Sequence, residues 1–249
     1  MLSYAMTIIR VLLFCLLLAS PAHAALSIAV VQAYINTSST TAVSASFDIA
    51  DGDLIIAVYH ADQTSDLTID SVTLTDNDGD LAFTGINLRG STDSGAGFVG
   101  ASSYNATRAD TGVVVTITAG LANDTPYLKI YRITGHDTAD PIGALNEGDL
   151  TTDPQSASLT METAGGFFAA WTDWNQTGTP TSSDLTETGF DDAGDISGGS
   201  GYKVTAVGAQ TGDMNSGGTP TGNWIAFEVR DGGGAAPSPK RLLTLGAGD

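Results

Sequence analysis

Past residue 24 the chain has no cysteine; its single one, Cys15, falls in the leader described below. Without thiols there is no disulfide, no thiolate nucleophile and no Cys-ligated zinc, so stability has to come from packing. Basic residues are scarce too: Lys and Arg number 9 against 28 Asp and Glu, for a net charge of −19. A surface of that sign repels nucleic acid and anionic lipid, which argues against both as partners. Histidine is confined to His23, His60 and His136, too few for a His-rich metal site. Glutamate occurs only at Glu147, Glu162, Glu187 and Glu228. The remaining acids are Asp, which favours turns over helix interiors and points to a loop-rich β protein. A high-salt habitat explains such a surface as readily as a ligand does.

What is present begins with an export signal. Arg10 precedes an apolar run from Val11 to Leu18, and Pro21-Ala22-His23-Ala24 places small residues ahead of a cut after Ala24. The run is short for a membrane span, so 1–24 read as a secretory signal peptide, with no span left after its removal. The expected location is secreted, periplasmic or on the cell surface, with a virion as the alternative. Lipidation of Cys15 is opposed by Phe14, which stands where such a site wants a small residue. Residues 25–230 are expected to form one domain. Residues 231–249 follow as a Gly/Pro-rich linker, then Lys240-Arg241-Leu242-Leu243, either a frayed end or a strand-adding docking peptide.

Apolar and polar residues alternate through most of 25–230, and helical spacing is almost absent. Val72 and Leu74 oppose Ser71, Thr73 and Thr75. Val113, Val115 and Ile117 oppose Thr116 and Thr118. Ala157, Leu159 and Met161 oppose Ser156, Ser158 and Thr160, and Tyr202, Val204 and Ala206 oppose Lys203 and Thr205. Leu54 to Tyr59 is apolar throughout, as in a central strand covered on both sides. Ile225, Phe227 and Val229 make an inner face, with Glu228 expected to point outward. Turn clusters such as Asp51-Gly52, Asp78-Gly79 and the stretch from Gly212 to Gly222 separate the runs. Phase slips around Gly85, as at a β-bulge. The expectation is an all-β, jelly-roll-like sandwich of two antiparallel sheets with about eleven strands.

Four segments resemble a β-sandwich module found, mostly without assigned function, in bacterial exported proteins and phage structural proteins. They are Asp51 to Val58; Ile69 to Phe83, centred on Thr75-Asp76-Asn77-Asp78-Gly79-Asp80; Ile133 to Ile142; and Gly201-Tyr202-Lys203-Val204 with Trp224 to Val229. The resemblance spans roughly Leu26 to Arg230 in order. It implies a fold and a structural or binding role at a bacterial surface or on a virion, not a reaction.

The residues themselves offer little chemistry. No Gly-x-Ser-x-Gly elbow accompanies His60 or His136, so a Ser-His-Asp triad is not indicated. No Glu-x-Asp-x-x-Glu pattern marks the paired carboxylates of a sandwich glucanase, and an Asp-based hydrolase remains only as an alternative reading. Asp76, Asp78 and Asp80 crowd oxygen ligands into one turn and form a candidate calcium site, but the EF-hand pattern is incomplete and Asp78-Gly79 suits a plain hairpin turn. Asp191, Asp192 and Asp195 form a second, weaker cluster. No other cofactor is expected. Of the tryptophans Trp171, Trp174 and Trp224, the first two should point to opposite faces of one strand, with Trp174 exposed. Trp174 and Asp173 are thus the candidate ligand-binding residues of a carbohydrate-binding alternative, with a protein or polysaccharide as partner.

Overall fold

The computed structural model describes residues 25–36, 41–61, 69–75, 80–90, 97–119, 126–174, 179–192, 196–215 and 221–233. The leader 1–24, Asp76, Asp78, Asp195 and the tail from 234 lie outside them. None of the described residues is helical, and none forms a helix able to cross a membrane. Among the described residues the strands number seventeen, fourteen of them seven residues or longer and three of only three residues, against the eleven or so expected. The first ten are β1 (Ser27–Ile35), β2 (Thr41–Val43), β3 (Phe47–Ile49), β4 (Leu54–Ala61), β5 (Ile69–Thr75), β6 (Asp80–Ala82), β7 (Thr84–Gly90), β8 (Phe98–Asn105), β9 (Asp110–Ala119) and β10 (Pro126–Thr134). The rest are β11 (Ile142–Leu150), β12 (Gln155–Met161), β13 (Gly165–Asp173), β14 (Thr186–Asp192), β15 (Ile196–Thr205), β16 (Gly208–Met214) and β17 (Gly222–Arg230).

The class is as expected: all-β, with antiparallel sheets packed together. Among the described residues the sheets number four rather than two. One sheet runs β1-β10-β4-β8-β7, and over its outer face lies β2-β9-β5-β6, with β3 also on β9. That pairing of first with last strand, and of second with penultimate, is the double Greek-key order of a jelly roll. The second half of the chain repeats it: β11-β17-β13-β15-β14, covered by the pair β12-β16. Seven strands correspond one to one once β5 and β6 are set aside and β2 and β3 are taken together. The registers agree as well. Tyr131 faces Ile56 as Phe227 faces Phe168, and Tyr59 lies opposite Gly100 as Trp171 lies opposite Gly199.

Three cores separate these four layers. Ile55, Ala57 and Tyr59 pack with Val113, Val115 and Ile117 in the outer core of the first unit. Ala157, Leu159 and Met161 pack with Phe167, Ala169 and Trp171 in that of the second. Between the units the two five-stranded sheets meet face to face, Leu54, Ile56 and Val58 against Phe168, Ile225 and Phe227. A central strand of either sheet is covered on both sides, which is why β4, β13 and nearly all of β17 are buried along their whole length. The unbroken apolar run at Leu54 to Tyr59 thus has the environment expected of it.

Covering the second sheet on both sides corrects the placement of Glu228. It does stand on the face opposite Phe227, but that face is buried and Glu228 is 0% exposed. Val204, expected inward with Tyr202, sits at the end of β15 and is 60% exposed. The stretch from Gly212 is not a turn at its start, since β16 runs through Gly212 to Met214. Gly212 is there because a Cβ would come within 2.8 Å of Phe167 and 2.9 Å of Leu185. The slip near Gly85 is real: the β7–β8 register shifts between Gly85 and Asn87. Just before it, the chain passes from the covering sheet to the central one at Phe83.

Candidate functional site

At the centre of the molecule the apolar contact between the units gives way to a polar node. It has six members: Tyr34 from β1, His60 from β4, Lys129 and Tyr131 from β10, Thr172 from β13 and Ser200 from β15. All but Tyr34 are at most 1% exposed. Strand alternation places them there. Lys129 pairs with Val58 and Tyr131 with Ile56, so both share the inward face with His60. Thr172 holds in β13 the register that His60 holds in β4.

The hydrogen bonds form one chain across the interface. His60 Nδ1 meets Thr172 Oγ1 at 2.7 Å and Nε2 meets the Tyr34 hydroxyl at 2.8 Å. Tyr34 donates to Ser200 Oγ at 2.8 Å, and Tyr131 lies 2.7 Å from the same oxygen. Thr172 Oγ1 is also 3.1 Å from the Phe98 carbonyl. Lys129 Nζ donates to the Ser200 carbonyl at 3.3 Å and stands over the rings of Tyr131 and Tyr34, 4.6 and 5.3 Å from their centres. Burial, and then the Lys129 charge, depress the His60 imidazole to about 3, so it is neutral at pH 7. Burial likewise raises the phenols of Tyr34 and Tyr131, which keep their protons.

This wiring does not make a nucleophile. His60 reaches Ser200 only through Tyr34, and Thr172 rather than a carboxylate stands behind its imidazole, so the proton relay of a Ser-His-Asp triad is not assembled. His136 is 4% exposed and lies past the opposite end of β10, with Nε2 3.0 Å from Asn105 Oδ1. Burial lowers its value, opposed by the Ile133 carbonyl and by Asp137 and Asp53. The two histidines therefore occupy opposite ends of one sheet.

Asp173 and Trp174 do not form a common exposed platform. Asp173, the last residue of β13, is 0% exposed and accepts the Thr221 N–H on Oδ1 at 3.2 Å. Trp174 lies one residue past that strand, partly buried, its N–H on the Thr221 carbonyl at 3.2 Å. Trp171 and Trp224 are core residues of the second unit. Asp80 opens β6 opposite Thr75, while Asp76, Asp78 and Asp195 and the side chains of Asp191 and Asp192 are outside what is described. Among the described residues no three His, Cys, Asp or Glu side chains group as metal ligands. Two open clefts flank β7 and β8, of about 390 Å³ by Phe83, Asn87 and Leu88 and about 400 Å³ by Thr84, Ser103, Asn105 and Asp140.

Sequence reasoning set His60 aside together with His136 and did not foresee its company. One signal was legible: Lys129 interrupts the inward face of Pro126–Thr134, where alternation puts it in line with Tyr131 and Ile133. Comparison of the chain with family models, with curated proteins and with solved structures finds no match to any of them.

Proposed function

We propose that this chain is an exported, non-enzymatic β-sandwich protein acting as a structural or binding module at a bacterial surface or on a virion. The observation that carries the reading is the use made of its chemically capable side chains. His60, Lys129, Tyr131 and Ser200 are closed between two sheets, committed to joining the units, where no substrate reaches them. Buried polar groups that satisfy one another specify a single packing of the surfaces around them. Two jelly rolls locked this way make a rigid block that presents its loops, clefts and outer sheets to partners.

The alternative is a carbohydrate-binding module, favoured by the partly exposed Trp174 and by the polar cleft at Ser103, Asn105 and Asp140. Sedimentation of the purified protein with insoluble polysaccharides, paired with assays on generic glycoside and ester substrates, separates the readings. The structural reading expects neither retention nor turnover. Retention abolished by Trp174→Ala selects the carbohydrate reading, and turnover lost in His60→Gln overturns the non-enzymatic assignment.

A further inference from the structure

The end of β1 is the weakest-held piece of backbone touching the polar node. β1 is an edge strand on β10, and its register breaks twice, between Val30 and Gln32 and again between Gln32 and Ile35. Beyond Val30 the register sets Gln32 opposite Ile130 and Ile35 opposite Leu128, with a shift before each. Side-chain contacts also fasten this stretch. Tyr34 is bonded to His60 and Ser200, Gln32 Oε1 accepts the Ala45 N–H at 2.9 Å, and Val31 and Ile35 pack on the first core. We propose that Gln32 to Ile35 form an acid-released strap, freed from β10 when His60 takes up a proton beside Lys129.

Tyr34 gives its hydrogen to Ser200 and Thr172 gives its own to the Phe98 carbonyl, so both His60 nitrogens face oxygens placed to accept, and the neutral ring can donate to only one of them. A proton on the remaining nitrogen lets the ring donate to both oxygens, with the Thr172 hydrogen kept on the Phe98 carbonyl, 3.1 Å away. Hydrogen bonding therefore tolerates the imidazolium; the dry surroundings and the second cation do not. The titratable groups facing His60 among the described residues are Tyr34 from β1 and Lys129 and Tyr131 from β10. β13 and β15 bring only the hydroxyls of Thr172 and Ser200. Lys129 is the diagonal neighbour of His60 on the same face, and both lie against the Tyr34 ring.

Magnitude decides what gives way. With the imidazole held at about 3 when buried and at its ordinary 6.5 when released, acidification to pH 5 favours the released form about thirtyfold. That is too little to separate sheets joined through Ile56, Phe168 and Phe227. It acts instead on four residues of an irregular edge strand, whose opening admits water to both cations. Release bares the β10 backbone edge at Leu128 to Ile130.

Hydrogen exchange on the full chain at pH 7.5 and pH 5, corrected for intrinsic rates, tests this. The opening of residues 31–36 should rise about thirtyfold in wild type and by less than about threefold in His60→Gln, with β17 unchanged in both. Unchanged protection of 31–36 at pH 5 in wild type would overturn the strap, as would an equal loss in His60→Gln or a loss shared with β17. Should His60→Gln not fold, an NMR titration of His60 in wild type decides: a midpoint near 6.5 with 31–36 still protected sinks the proposal.

Discussion

Glu228 shows how one side chain can depend on a whole neighbourhood. Its carboxylate accepts four hydrogen bonds, from the Ala144, Glu162 and Thr163 N–H groups and the Thr163 hydroxyl, at 2.6 to 3.1 Å. Gly143 makes the room, since a Cβ there would strike the carboxylate. Burial pushes the carboxyl up, but the four donors outweigh it and hold the group below its usual 4.5. A carboxylate depressed on folding contributes stability that is present above its unfolded value and is lost as pH falls through the folded one. Glu228→Gln turns an amide N–H₂ toward donors and should cost about 3 kcal/mol in urea denaturation at pH 7, with less dependence on acid below pH 4 than wild type. Gly100 is a second such position. A Cβ would sit 2.2 Å from the Tyr59 ring, so Gly100→Ala must displace that ring and its 3.2 Å contact with Ser102. A loss of about 2 kcal/mol is expected, and a melting temperature equal to wild type would show that the ring had room to move.

At the scale of strands, legibility in the sequence followed the environment of each element. β4, β9, β12 and β17 were legible in type and phase because each has at least one face packed by large apolar residues. β14, β15 and β16 were obscured by glycine: Gly199 sits under Trp171 and Gly212 under Phe167, so the partner strand supplies the bulk that alternation would show. The duplication was hidden for a related reason. Equivalent inward positions hold Ile56 and Phe168, Val58 and Ala170, His60 and Thr172, which fill one interface jointly and so need not resemble each other. His60 was set aside as a lone imidazole because its partners come from distant strands, and the candidate Asp173 could not be known to be buried until β13 was seen to be covered on both faces. Phe227→Asp tests the inner phase of β17. The ring stacks on Phe168 at 5.1 Å with planes 6° apart, and an unpaired carboxylate there should cost several kcal/mol, enough to unfold most of the population at 25 °C.

For the molecule as a whole, two ion pairs among the described residues span the units beside the shared core. Arg89 of β7 binds Glu147 and Asp149 of β11 at 3.0 and 2.7 Å. These side chains are substantially exposed, so Arg89→Ala should cost under about 1 kcal/mol, most of it already lost at high salt. Calcium is expected to leave the chain unmoved. A site of about 10 µM affinity would add about 2.7 kcal/mol at about 1 mM calcium, so melting curves in calcium and in chelator should coincide. A rise of several degrees, abolished by Asp76→Ala with Asp78→Ala, would restore the calcium reading of that turn.

The pairing of first with last strand in each unit also sets an order of assembly. β1 cannot join its sheet until β10 exists, and β11 waits likewise for β17. Closing such distant ends is entropically slow. When the first unit has closed, its inward face of Leu54, Ile56, Val58, Val99 and Ile133 is an apolar surface whose cover has yet to fold. A chain stopped after Thr134 should therefore elute as a self-associated species rather than a monomer on size-exclusion chromatography, because two copies can offer each other the face that the second half supplies.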